Sequence, residues 1–216
     1  LHKRIALNIL RIIGGQPHRL VLGFMIATGF LSMWLSNTAT ALMLMPMGMS
    51  LVLLYEELNK DILAGGGRVD PRADNFSLTL LLGIAYGASI GGFATLIGTP
   101  PNGILITQMS QLFPEAPDIT FATWMLFALP MSFVYMIIAW VLLTRVVFPL
   151  PASTPFSGKE FISSEIKKLG PMSTEERRVT GVFVSFALLL MTRKERLFSP
   201  EVDLFGWSHF LDKILT

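Results

Sequence analysis

Residues 20–55 read LVLGFMIATGFLSMWLSNTATALMLMPMGMSLVLLY, and no charged residue falls between Arg19 and Glu56. As one α-helix this run of 36 residues would extend ~54 Å, well beyond a hydrocarbon core ~30 Å thick. The polar triplet Ser36-Asn37-Thr38 divides it into two apolar pieces, each ~24 Å long as a helix and short for a crossing. Two topologies fit: one over-long helix, or a re-entrant hairpin with the triplet at its tip. Lys and Arg cluster in 1–19, 60–72 and 159–178, whereas the acidic turn at 114–118 has none. The positive-inside bias puts all three clusters in the cytoplasm. Residues 1–19 and 60–72 then share one side, which favours a hairpin over 20–56 because a hairpin returns.

From Asn75 to Thr144 the only charges are Glu115 and Asp118. Of 216 residues, 52% are hydrophobic and 15% charged, and the mean hydropathy is +0.58. Soluble domains carry about 25% charged residues, so the composition points to an integral membrane protein of all-α class. Seventeen Lys+Arg against 15 Asp+Glu leave a net charge of +2, with the bases distributed by topology. Nucleic-acid binding is not implied. The absence of cysteine excludes a disulfide scaffold, a thiolate metal site and a Cys nucleophile. His2, His18 and His209 are scattered, and no Ser/His/Asp arrangement is evident. The chain does not read as an enzyme.

Residues 1–19, with Lys3, Arg4 and Arg11 set among Ile5, Leu7, Ile9 and Leu10, read as an amphipathic interfacial helix. Residues 57–75, with Gly65, Gly66, Gly67 and Pro71, read as a cytoplasmic loop. Residues 76–113 begin as an apolar helix, run into GGFATLIGTPPN at 91–102, and resume. Two prolines and several glycines cannot continue a helix unbroken, so this is a broken transmembrane helix. Residues 118–148 read as a transmembrane helix in which 121–148 is the longest clean apolar run, a full crossing that Pro130 is placed to kink. Residues 149–178 read as a cytoplasmic linker, with Thr174 as a candidate helix cap. Residues 179–193 start the transmembrane helix of a next repeat, and 194–216 form an amphipathic, truncated end. The chain opens in mid-element on Leu1 and is expected to be an internal piece of a longer protein.

Two neutral, polar interruptions thus lie at membrane depth: 36–38 and 98–102. Half-helix N-termini attract anions, while unwound carbonyls and helix C-termini coordinate Na⁺. Two hydroxyls and an amide in the triplet can bind a carboxylate without a buried base. Neither interruption carries Asp, Glu, Lys, Arg or His, which favours Na⁺ over H⁺ as the coupling ion. A packing patch of small hydroxylated residues would explain SNTAT alone, but not the second, Pro-Pro-containing break.

With FLSMWLSNTATALMLMP at 30–46 and ASIGGFATLIGTPPN at 88–102, the chain resembles the divalent anion:sodium symporter family. The amphipathic lead LHKRIALNIL is similar to that family's interfacial helix. The resemblance implies Na⁺-coupled symport of a small divalent anion, such as a dicarboxylate or citrate, through the inner (plasma) membrane. It implies an inverted-repeat, elevator-type transporter, homodimeric at full length, of which this chain is the first half. Ser32, Ser36, Asn37 and the carbonyl of Gly98 would then hold a Na⁺. Ser36, Asn37, Thr38 and Thr99, with Pro100 close by, would face the anion. A full member has a second Ser-Asn-Thr, and this chain has one. Two other roles stay open: a non-transporting membrane module or truncated remnant, and a related ion antiporter.

Overall fold

The computed structural model describes residues 1–117, 119–151 and 158–192, and every regular element among them is helical. The expected amphipathic end at 194–216 lies outside the described residues.

Helix α1 (His2–Ile13) buries Ala6, Leu7 and Leu10 on one face and turns Lys3 and Arg11 outward. It stops at Gly14, whose φ of +106° is a backbone state that side chains other than glycine rarely adopt. Helix α2 (Pro17–Ser32) starts with a proline at its first position, where the missing N–H costs nothing. It is apolar nearly all round, and most of it is buried. The chain then turns through Met33–Leu35, and Ser36 caps α3 (Asn37–Ala64) by accepting from the Ala39 N–H at 3.3 Å.

The two arms are unequal. Helix α2 has 16 residues and α3 has 28, or ~24 and ~42 Å. Asn37 and Thr38 belong to the first turn of α3, so the interruption is Met33–Ser36 and not the triplet itself. At the far end α3 runs two turns past Glu56, into the stretch 57–75 expected to be loop. Glu56 and Lys60 stand at helical spacing with the favourable polarity, and the helix yields only at Gly65–Gly67, where Gly66 has φ +76°.

Helix α4 (Ala73–Phe93) is the centre of the packing, touching α2, α3 and α6 (Phe121–Val141). Its contact with α2 is the most extensive among the described residues. A Cβ added at Gly91 would lie 2.2 Å from the Gly29 carbonyl oxygen. The two backbones therefore touch where both residues are glycine, the close approach that small residues permit between membrane helices. Around this crossing Phe24, Leu44, Leu51, Phe76, Leu80 and Ile84 form the buried core, with Tyr55 and Phe76 rings 4.7 Å apart.

The chain unwinds at Ala94–Thr99 and resumes as α5 (Pro100–Leu112). Pro100 and Pro101 open that helix and are not part of the unwound stretch. Helix α6 begins with a reciprocal Thr120–Thr123 cap and passes through Pro130 to a π-helical turn, Leu142–Val147. The expected linker 149–178 contains an amphipathic helix, α7 (Gly158–Leu169), packed on α1 through Ile162. Helix α8 (Thr174–Met191) is capped by Ser173, with Glu176 reciprocating, and not by Thr174. Among the described residues three helices are long and apolar enough to cross a membrane: Asn37–Ala64, Ala73–Phe93 and the continuous Phe121–Val147.

Candidate functional site

The two interruptions meet. Ser32, the last residue of α2, is fully buried, and its hydroxyl lies 2.7 Å from Oδ1 of Asn37, the first residue of α3. That end of the Asn37 amide faces three oxygens. Turned with its nitrogen inward, the amide reaches Ser32 Oγ at 2.7 Å, and the Gly98 and Ala88 carbonyls at 3.3 Å each. In this orientation its two N–H groups are shared among three acceptors, and the cluster is closed without an ion. With the oxygen inward, it accepts from the Ser32 hydroxyl at 2.7 Å and faces the Gly98 and Ala88 carbonyls without a proton between them.

Glycine makes room for this. A Cβ on Gly92 would lie 2.1 Å from Asn37 Oδ1, and one on Gly98 would lie 2.9 Å from the Ser32 carbonyl oxygen. Thr40 stands one turn along α3 from Asn37, on the same face. It is fully buried, and its hydroxyl has no hydrogen-bond partner among the described residues. Buried polar groups are ordinarily paired, so this unpaired hydroxyl on the Asn37 face is an exception. No titratable side chain belongs to the cluster.

The unwound segment is held by side chains that sequence reasoning passed over. Thr95, fully buried, donates to the Met33 carbonyl and accepts from the Gly98 N–H at 3.1 Å. This ties one interruption to the other. Asn102 donates to the carbonyls of Gly92 at 3.1 Å and Thr95 at 2.7 Å, with Phe93 at 3.4 Å. Trp124 Nε1 donates to the Phe93 carbonyl at 3.1 Å, and Ser132 to that of Ile90 at 2.6 Å. Helix ends leave their last carbonyls unpaired, and at membrane depth only protein can satisfy them. The available signal was a polar residue at each flank of the break, Thr95 and Asn102, in an otherwise apolar run.

The anion-facing candidates are placed differently. Ser36 is exposed, its hydroxyl engaged by its own helix. Thr38 and Pro100 are exposed and Thr99 is half-buried. Neither threonine side chain makes a hydrogen bond among the described residues. Ser32, Asn37 and Gly98 are therefore brought into one cluster, whereas Ser36, expected as a fourth Na⁺ ligand, stands outside it with Thr38, Thr99 and Pro100. The helix starts also differ. The N–H groups of Asn37 and Thr38 have no partner within α3, that of Ala39 being taken by Ser36, while Pro100 and Pro101 give α5 no N–H at its first two positions.

The family described as "Citrate transporter" (CitMHS) matches residues 1–201. The chain belongs to this family. It is 38% identical over 195 residues to the sodium-dependent dicarboxylate transporter SdcS of Staphylococcus saprophyticus, covering 90% of this chain and 36% of the relative. It is 37% identical over 202 residues to the protein of the same name from Staphylococcus aureus, covering 94% of this chain and 38% of the relative. The chain thus spans less than two-fifths of the length of these curated relatives. Family and apolar helices together identify a multi-pass protein of the plasma membrane. The resemblance to sodium-coupled anion transporters, drawn from residues 30–46 and 88–102, agrees with both relatives' names.

Proposed function

We propose that this citrate transporter family member forms one half-site of a sodium-coupled symporter for a small divalent anion, a dicarboxylate such as succinate, or citrate. The observation that carries the reading is the convergence of Ser32 Oγ, the Asn37 amide and the Gly98 carbonyl at the meeting of two helix breaks. Na⁺ is cargo here. Its arrival draws the Asn37 oxygen inward and links the α2–α3 turn to the α4–α5 break. The start of α3, with unpaired N–H groups and the positive end of its dipole, then faces a carboxylate. Ser36, Thr38 and Thr99 supply hydroxyls beside it, with Pro100 as the neighbouring wall. All these ligands are neutral, so charge balance comes from the ion travelling with the anion, and without the ion the anion is held weakly. Such an order of binding is what coupling requires.

Symport also needs the rest of the protein. A second half-site, an elevator-type movement of a re-entrant hairpin, and a homodimer are parts of the same proposal, resting on the resemblance. The test is uptake of labelled succinate and citrate by proteoliposomes containing the full-length protein. A Na⁺ gradient should drive accumulation, and Asn37→Ala should abolish the Na⁺-dependent part. Undiminished Na⁺ dependence in that variant would remove the site assignment.

A further inference from the structure

A second cluster of chemistry lies away from the helix breaks, between α1 and α7. There a cavity of about 450 Å³ is lined by Arg11 of α1 and by Lys159, Ile162, Ser163, Ile166 and Lys167 of α7. All three cations are exposed, and none forms an ion pair among the described residues. Lys159, Ser163 and Lys167 follow one another at four-residue spacing and so share a helix face. Glu160, beside Lys159 in sequence, is not part of the lining. The cavity floor is apolar, with Ile162 only 2% exposed. Its position is fixed by the backbone: a Cβ on Gly158 would lie 2.4 Å from the Gly15 carbonyl oxygen, so the start of α7 is pressed against the α1–α2 corner.

We infer that this cavity binds the phosphate headgroup of an anionic phospholipid. Three like charges around one hollow repel one another, and an anion between them removes that cost. Ser163 adds a hydroxyl donor. The occupant is a lipid and not a free phosphate because of what surrounds the bases. Ile12, next to Arg11, is 85% exposed, and an isoleucine so bare on an amphipathic helix in a membrane protein belongs against acyl chains. Basic pockets between helices at the cytoplasmic surface recognise anionic headgroups by this chemistry. The inference stands apart from the transport reading, since no residue is shared with the site at the helix breaks.

The test uses the full-length protein in neutral detergent, with native mass spectrometry to count retained lipid. Dioleoyl-phosphatidylglycerol should be retained over dioleoyl-phosphatidylcholine. Replacing Arg11, Lys159 and Lys167 by Gln should weaken that retention about fivefold per cation, on the order of a hundredfold together. Lys159→Gln and Lys167→Gln, at exposed positions, give the single steps if the triple variant is not recovered. Equal retention of the two lipids by the unmodified protein would overturn the inference, and that arm needs no variant. Undiminished phosphatidylglycerol retention in the lysine variants would overturn its location. Displacement of the lipid by millimolar inorganic phosphate would reassign the pocket to a soluble anion.

Discussion

Gly92 leaves the space that the Asn37 amide occupies: a Cβ at position 92 would lie 2.1 Å from Asn37 Oδ1. Asparagine is too short to move aside while keeping its contacts with Ser32 and Gly98. Gly92→Ala therefore separates two effects of opposite sign. Gly92 is the next-to-last residue of α4 and has no positive φ, so alanine suits its backbone and gains up to about 1 kcal/mol of helix propensity, and the fold should hold. The amide is displaced, and the Na⁺ concentration for half-maximal uptake should rise at least about tenfold, the equivalent of ~1.4 kcal/mol. Na⁺ titration of succinate uptake checks this. An unchanged titration in a well-folded variant would mean that the observed place of Asn37 is not needed for ion binding.

Ser32→Ala tests the same cluster from the other arm. Ser32 is fully buried and 2.7 Å from the amide, so its loss removes one oxygen and unpairs its partner. Leaving a buried polar group unsatisfied costs about 1–3 kcal/mol. The Na⁺ requirement should rise by about tenfold, with a smaller effect on the apparent affinity for the anion at saturating Na⁺. Equal losses of both would point to a disordered turn instead of a missing ligand.

The breaks themselves were legible because their residues contradict their surroundings. Ser-Asn-Thr and Gly-Thr-Pro-Pro-Asn are polar or helix-breaking in runs that otherwise carry no charge. Their edges were not legible. A helix may start on its own polar residues, so Asn37 and Thr38 lie inside α3, and prolines fit the first turn of α5 as well as an unwound strand. The length of α3 was missed for a related reason: Glu56, Glu57, Lys60 and Asp61 look like loop by polarity, yet suit a helix emerging from the apolar layer. Of the site, Ser32, Asn37 and Gly98 are what the resemblance of residues 30–46 and 88–102 to the symporter family implies. The Ala88 carbonyl, the room left by Gly92, and the bracing by Thr95 and Asn102 depend on tertiary approach. No pattern along one chain encodes that approach directly.

Asn102 holds the end of α4 through the Gly92, Phe93 and Thr95 carbonyls. Asn102→Leu keeps the branched shape of the side chain and removes the donors. Phe93 retains Trp124 as a partner, so the loss falls on Gly92 and Thr95. The cost should be about 1–3 kcal/mol, seen as a lowered unfolding temperature in detergent. Asn102→Asp should be worse, because a carboxylate would face the same oxygens with no N–H to offer. If Asp were tolerated better than Leu, hydrogen bonding to these carbonyls would not be what holds the break.

Arg4 makes the corresponding brace at the polar edge. Its guanidinium donates to the Gly170 carbonyl at 3.0 Å, to those of Pro171 at 3.3 Å and Leu169 at 3.4 Å, and to Glu176 Oε2 at 3.1 Å. It thereby caps α7, pairs with the acid that caps α8, and fixes both to α1. The Arg4 side chain is 19% exposed, so the ion pair itself is partly screened and the carbonyl bonds carry more of the effect. Arg4→Gln should destabilise by about 1–3 kcal/mol. Arg4→Lys should recover little, since a point charge on a flexible stem does not reproduce a planar fork reaching four acceptors. High salt should weaken the unmodified protein only slightly at this corner. Thermal unfolding of the three proteins at low and high salt separates the contributions: full recovery by lysine would make this a charge contact, and failure of lysine would make it a capping one.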